Sequence, residues 1–334
     1  MSNSRYVHVG PEVTMRLDRR FAQIVLGLLW LLDAGLQFQP FMFTREFATQ
    51  VLAPNGDGQP GFVAVPVSWA VSLTSAQPVL AGVVFALVQL VIAVAILVPR
   101  TVRLGLALSI PWSAGVWLIG EGLGGLFAGH VDLLTGAPGA VVLYAVLAVA
   151  AWPRRSPSGW RSDVPLPYWL VPAWALMWLG FAVLTLVPGK DAVSSVTGQI
   201  DMMAAMTPGW LSTLDSRLSA WVGAAGMTGI IAFALLCVTI GLAALIRGPL
   251  RNAAAAAGIA VAVLAGLVGQ AFGEIFSGQA TDPNSAPLII LFACCALGAS
   301  RMRSQDRRQR SAPPVDTAVA TAMADHSPVL TPVP

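Results

Sequence analysis

The chain has only one lysine, three histidines and three cysteines in 334 residues, and charged residues make up 10% of it. A soluble domain carries about 25% charged residues. That deficit excludes an ordinary soluble enzyme, a secreted disulfide scaffold and a disordered chain. Cys237, Cys294 and Cys295 all lie in apolar runs and form no C-x-x-C, which excludes a thiol–disulfide relay in the loops. The histidines are His8, His130 and His326. Two fall in polar tails, so no intramembrane pair exists to ligate a haem. No His/Cys/carboxylate cluster has metal-ligand spacing, so no metal site is assigned, and no catalytic residue either.

Apolar residues are what the chain has instead. They make up 56% of it, and the mean hydropathy is +0.73. Eight apolar segments stand out, at 21–43, 79–98, 104–127, 137–152, 168–188, 227–246, 253–276 and 286–300. Most approach the roughly 20 residues that cross a hydrocarbon core of about 30 Å. The fourth and eighth are shorter but fall at equivalent places in the two halves, so both are read as spans. The first is too long for a signal-peptide core and follows Arg16, Arg19 and Arg20, as a retained signal anchor would.

Eight spans put both termini on one side. Sixteen of the nineteen Lys and Arg then share that side, and only Arg45, Lys190 and Arg217 lie opposite. This obeys the positive-inside rule, so both termini are expected in the cytoplasm. The net charge of +3 is therefore topological and argues against a nucleic-acid partner. The partner it implies is the bilayer, with the basic run before the C-terminal tail resting on anionic headgroups. The Arg-over-Lys bias and Ala/Gly/Val richness suggest a high-GC bacterial source, hence a plasma membrane.

The chain also duplicates itself. Trp30 aligns with Trp178, Pro40 with Pro188, Phe85-Ala86-Leu87 with Phe233-Ala234-Leu235 and Leu97 with Leu245, each 148 residues on. GEGLGGLFAG at 120–129 aligns with GQAFGEIFSG at 269–278, and Ala137-Pro138 with Ala286-Pro287, at 149. The expected fold is all-α: two tandem four-helix repeats of like topology related by a pseudo-two-fold along the membrane normal. The divisions are a tail at 1–20, a first repeat at 21–152, a linker at 153–167, a second repeat at 168–300 and a basic, then disordered tail at 301–334. The long outer loops, 44–78 and 189–226, read as interfacial helices. Thr207-Pro208 makes a helix start, and Trp210, Leu214, Leu218 and Trp221 recur at helical spacing.

In the repeated motif G-[EQ]-x-x-G-x-[LI]-F-x-G, glycines stand four apart. Gly120, Gly124, Gly269 and Gly273 are thus expected to pack helices closely in lipid, where the two repeats meet. The motif borders the rare charges. Asp33, with Gln37 one turn on, Glu121, its counterpart Gln270, and Glu274 are the candidate ligand-binding residues, because an intramembrane carboxylate is costly and usually faces a cavity. Arg45, Lys190 and Arg217 are available to pair with them. His130 is read as surface, and Met202, Met203 and Met206, at helical spacing, as interfacial packing.

The first repeat resembles the DoxX-like family of four-helix bacterial membrane proteins. Arg20, Gly27 within LGLLW and Gly35-Leu36-Gln37 are similar to that family's opening helix. FALVQLVIAVAILVPRTVRLGLAL at 85–108 is similar to its second span, turn and third span. Gln89 falls where an acidic residue is common, and Arg103 matches the usual Arg after the turn. The family's Lys falls on Phe38, and Cys237 stands at the Gln89 position of the second repeat. The resemblance implies a membrane subunit of a redox or quinone-linked complex that carries no electrons itself, with quinone as the associated small molecule and a membrane or periplasmic redox protein as partner. Two other classes stay open from the residues: a small-solute transporter or channel, and a scaffold without a ligand site.

Overall fold

The computed structural model describes residues 17–128, 133–157, 159–275 and 277–311. His8, His130, His326 and the tail beyond 311 lie outside them. The protein is mostly helical. Helix α1 spans Arg19–Leu36, α2 Gly61–Ala76, α3 Pro78–Leu97, α4 Val102–Ile119 and α5 Ala140–Ala151. A two-stranded hairpin follows, β1 Arg154–Ser156 and β2 Gly159–Arg161, paired antiparallel. Then come α6 Leu170–Leu186, α7 Ala192–Met206, α8 Gly209–Leu245, α9 Pro249–Leu267 and α10 Ala286–Ser311.

Among the described residues, α3, α4, α8 and α9 are each long and apolar enough to cross a membrane. The pair α6 plus Gly189–Ala205, bent by 92°, makes a fifth if it counts as one span. Their outer faces expose large apolar side chains, such as Leu80, Val91, Leu104, Leu176, Val183, Leu235 and Leu242. An exposed apolar band of that size has no place in water. The chain is a multi-pass helical membrane protein.

Local chemistry sets the helix ends. Asp18 caps α1, its carboxylate accepting from the Phe21 amide at 2.9 Å. Prolines at N1 open α3 and α9. Arginines close helices at the opposite pole: Arg19 donates to the carbonyls of Ala150 (3.0 Å) and Trp152 (2.5 Å), and Arg20 to that of Leu97 at 2.7 Å. Arg251 does the same for Ala244 at 2.7 Å. The basic residues of this arginine-rich end thus satisfy the last carbonyls of α3, α5 and α8 as well as carrying charge.

Several segments differ from the sequence expectation. The 21–43 helix stops at Leu36 and gives way to a 3₁₀ turn at Pro40–Phe43, because Pro40 has no amide to donate. The 104–127 and 253–276 helices stop at Ile119 and Leu267. Helix α8 starts at Gly209 and breaks at Gly226 (φ 57°, ψ −149°), so its second part begins at 227, the expected start of the 227–246 segment. The linker holds the hairpin, where Arg103 stacks 3.9 Å above the Trp160 ring. The basic run after 300 continues α10 to Ser311.

One large core joins the two halves. Trp30, Leu26, Tyr144 and Leu147 from α1 and α5 meet Trp174, Trp178, Phe181 and Phe292 from α6 and α10. Close helix approach through glycine does occur, but elsewhere than expected. A Cβ on Gly105 would sit 2.6 Å from the Ile96 amide nitrogen, and one on Gly258 2.5 Å from the Trp174 ring. These positions, not the repeated motif, let α3 approach α4 and α9 approach α6.

Candidate functional site

Helices α1–α5, with the loop before α10, surround a cavity of about 550 Å³. It lies at the end opposite the helix-closing arginines, under the loop that joins α1 to α2. Three things make it. Pro111 interrupts the hydrogen-bond ladder of α4, whose residues Pro111 to Gly120 form one wall. Residues 80–89 of α3 form the facing wall, and Trp69 to Thr74 of α2 cross the top. At the far end Gly105 pins α4 to α3, so the two helices touch there and part around the cavity. The rim residues Trp69, Leu73, Leu80 and Val84 are exposed, which opens the cavity sideways onto the apolar surface.

Its floor is polar. Asp33 and Gln37, one turn apart on α1, are buried there, with Gln89 from α3. Glu121 arrives from the turn after α4, Tyr144 from α5 and Asp282 from the loop before α10. The Tyr144 ring stacks on Trp30 at 4.3 Å, and its buried hydroxyl has no hydrogen-bond partner. Asp282 lies close enough to both Asp33 and Glu121 for their charges to interact. It accepts from the Thr281 hydroxyl and the Asn284 amide, each at 2.8 Å, and burial pushes its carboxyl above the usual range.

Many of these polar atoms have no protein partner. Asp33 Oδ1, Gln37 Oε1, Gln89 Oε1 and Glu121 Oε2 are buried without one, as are the indole nitrogens of Trp30 and Trp112. A buried unsatisfied polar atom costs about 1–3 kcal/mol. With the Tyr144 hydroxyl they are seven around one cavity, too many for a packing accident, and they mark a place built for something else.

Glu121 is held by its second oxygen, which accepts from the Val141 amide at 3.3 Å near the start of α5. Gln270 has the matching position before α10, where its Oε1 accepts from the Ala286 amide at 3.3 Å. Its amide group is spent on the Leu133 carbonyl (2.7 Å) and the Ser285 hydroxyl (3.1 Å). Gln270 is therefore a fully bonded buried side chain that ties the two halves together, and it does not line the cavity. Glu274 does not line it either. The expected crevice between Glu121 and Gln270 is corrected on this point: Asp33, Gln37 and Glu121 come together, joined by Asp282. Neither Arg45, Lys190 nor Arg217 pairs with these carboxylates among the described residues.

The glycine motif is corrected too. Residues 122–125 all have positive φ, as do residues 271–274. Leu123 (φ 57°, ψ 33°) and Gly124 (65°, 24°) match Phe272 (50°, 40°) and Gly273 (66°, 22°). Each segment is a left-handed turn after a helix, not the packing face of one. A Cβ on Gly124 would strike the Pro138 carbonyl oxygen, and one on Gly273 that of Asp282. Both contacts are with the loop of the same half. Gly269 alone of the four meets the other half, at Leu134, and Gly120 faces Val116 of its own helix. The first turn is braced from the α1–α2 loop: Asn55 donates to the Gly120 carbonyl at 2.8 Å and Gln59 to that of Gly122 at 3.0 Å. The bend carries Glu121 out of the helix and onto the start of α5.

Sequence reasoning missed Asp282, Tyr144 and Trp112. Asp282 sits in a loop, where a carboxylate is unremarked. Tyr144 is one of three tyrosines and the one in the interior of an apolar segment, a readable signal. No family model, curated protein or solved structure matches the chain.

Proposed function

We propose that this is a small-ligand-binding membrane protein of DoxX-like type, built as a tandem eight-helix repeat in the plasma membrane with both termini cytoplasmic. The observation that carries the binding reading is the 550 Å³ cavity, whose apolar walls surround a floor of unsatisfied polar atoms. Ligand sites are commonly about 300–1,000 Å³, mostly apolar, with a few convergent polar groups. The matched left-handed turns support the duplication. So do Pro60-Gly61 and Pro208-Gly209, which open α2 and α8 at the same offset of 148. Helices α2, α7 and the first part of α8 then lie at the outer interface.

The ligand's polar end sits on Asp33, Glu121 and Asp282, and its apolar body runs along α3 and α4 to the sideways opening. In this reading the chain serves a redox or quinone-linked complex as a subunit that carries no electrons, beside a membrane or periplasmic partner. Transport comes second. Between the cavity and the arginine-rich end the core is closed by Leu26, Ile92, Ile96, Leu106 and Leu147, all buried.

Solvent extraction of the chain purified in mild detergent, followed by mass spectrometry, tests the reading. The chain should carry a stoichiometric small molecule that Gly115→Trp excludes. Gly115 lines the cavity and has no atom within 4 Å of its Cβ position, so the indole fills space rather than strains the helix. Equal ligand content in both proteins would remove the cavity as the site.

A further inference from the structure

The cavity's chemistry is one-sided. Asp33, Glu121 and Asp282 come from three different elements, and no Lys, Arg or His is among the described residues that line it. Its unpartnered atoms are the oxygens of Asp33, Gln37, Gln89 and Glu121, which accept, the Tyr144 hydroxyl, which can donate or accept, and two indole donors. Aromatic rings stand around the same space: Trp30 and Tyr144 stacked at 4.3 Å, and Phe85 tilted on Trp112 at 6.1 Å. A neutral carbonyl compound such as a quinone offers only acceptors and meets mostly acceptors here. An ammonium group offers only donors and a positive charge, and suits both the carboxylates and the ring faces.

We infer that the cavity binds a lipophilic organic amine as its cation, with the ammonium among Asp33, Glu121 and Asp282 and the apolar body between α3 and α4. This rests on the reading of the cavity as a ligand site and specifies the charge of its occupant. The apolar rim, Trp69, Leu73, Leu80 and Val84, selects a compound already dissolved in the bilayer, which reaches the carboxylates sideways. The low polarity around the charges strengthens each contact relative to water.

Three rigid compounds of one shape separate charge from fit: aminoadamantane, adamantanol and adamantane carboxylate. Each is measured at pH 7 by equilibrium dialysis against the full chain in zwitterionic nanodiscs, with empty nanodiscs subtracted. A short-chain benzoquinone is the fourth probe. The amine should bind saturably and about tenfold or more tighter than the alcohol, with the carboxylate weakest. Asp33→Asn and Glu121→Gln should each erase most of the preference for the amine over the alcohol, and this ratio is insensitive to the amount of folded protein. If the benzoquinone or the alcohol binds as well as the amine, the cavity stands as a ligand site and the cation inference fails. If none of the four binds saturably to the unaltered chain, the ligand-site reading falls with it.

Discussion

Helices α1 and α6 each bury a tryptophan, Trp30 and Trp178, at positions 148 residues apart, and three residues further on they diverge. α1 buries Asp33 there and α6 buries Phe181. The same replacement runs through the neighbourhood. Gln89 of α3 faces Cys237 of α8 in the alignment, Tyr144 of α5 faces Ala293 of α10, and the half-satisfied Glu121 faces the fully satisfied Gln270. In α6–α10 the space is filled by Trp174, Trp178, Phe181 and Phe292, ring on ring at 5.4 to 5.7 Å. The void left beside them is about 10 Å³, room for a water at most, against about 550 Å³ in α1–α5. The aligned positions of the sequence thus carry different side chains on the two sides of the molecule. Trp174 and Trp178 also leave their indole nitrogens unpartnered, so the contrast is one of space: one side is packed ring on ring, and the other leaves a cavity over buried carboxyls.

The contrast can be broken at either side. Trp178→Ala should cost the most, about 3–5 kcal/mol in equilibrium unfolding in mixed detergent, since it opens a void in the closed half. A loss below about 1 kcal/mol would mean that half is not closely packed. Asp33→Phe copies the α6 residue into α1. It should raise stability by about 1–3 kcal/mol, the cost of one unsatisfied buried group, while abolishing ligand. A folded variant that is less stable yet still binds would contradict the contrast.

Smaller effects sharpen it. Gly124→Ala and Gly273→Ala should each lose about 1–2 kcal/mol, because both sit at positive φ against a carbonyl oxygen. Gly209→Ala, at the start of α8 with nothing within 4 Å, should be nearly neutral in the same assay. The smallest effect is on pH dependence. Burial raises the Asp282 pKa in the folded chain. The folded state then holds this proton more tightly than the unfolded state. Its contribution is full below the ordinary carboxylate range and is lost as pH rises through the raised value. Asp282→Asn keeps an acceptor for the Asn284 amide and should remove this fall in stability between the ordinary carboxylate range and the raised value. An unchanged profile would show that Asp282 titrates as an ordinary surface carboxylate.

Much of the frame was legible in the residues. The 79–98 run and α3 at Pro78–Leu97 differ by one residue at each end, because Pro78 starts a helix and Val98 adopts an extended backbone beyond it. The rarity of charge also made Asp33 and Glu121 conspicuous. The glycine motif misled because four-residue spacing suits both a helix face and a helix-ending turn. The dense run at 122–125 pointed to the turn, but Ala271, Phe272 and Glu274 take the same left-handed backbone without glycine, which no local preference announces. Gln270 was misplaced for a related reason. Gln270 and Glu121 each accept from an amide at the start of the following helix, but a side-chain amide has donors to spend and an ionised carboxylate has none. The cavity itself depends on α3 and α4 parting above Gly105, a feature of packing rather than of any segment.

The central claim is that α1–α5 encloses accessible space where α6–α10 does not. Cysteine placed at Val116, on the cavity wall, and at Ala265, its buried counterpart 149 residues on, tests this most directly in a chain whose own cysteines are replaced by alanine. Reaction of the folded chains with N-ethylmaleimide is compared with that of the same chains unfolded in SDS. Val116→Cys should react in the folded chain within about tenfold of the unfolded rate, and Ala265→Cys should be protected in proportion to global unfolding. Equal protection at the two positions would contradict the account.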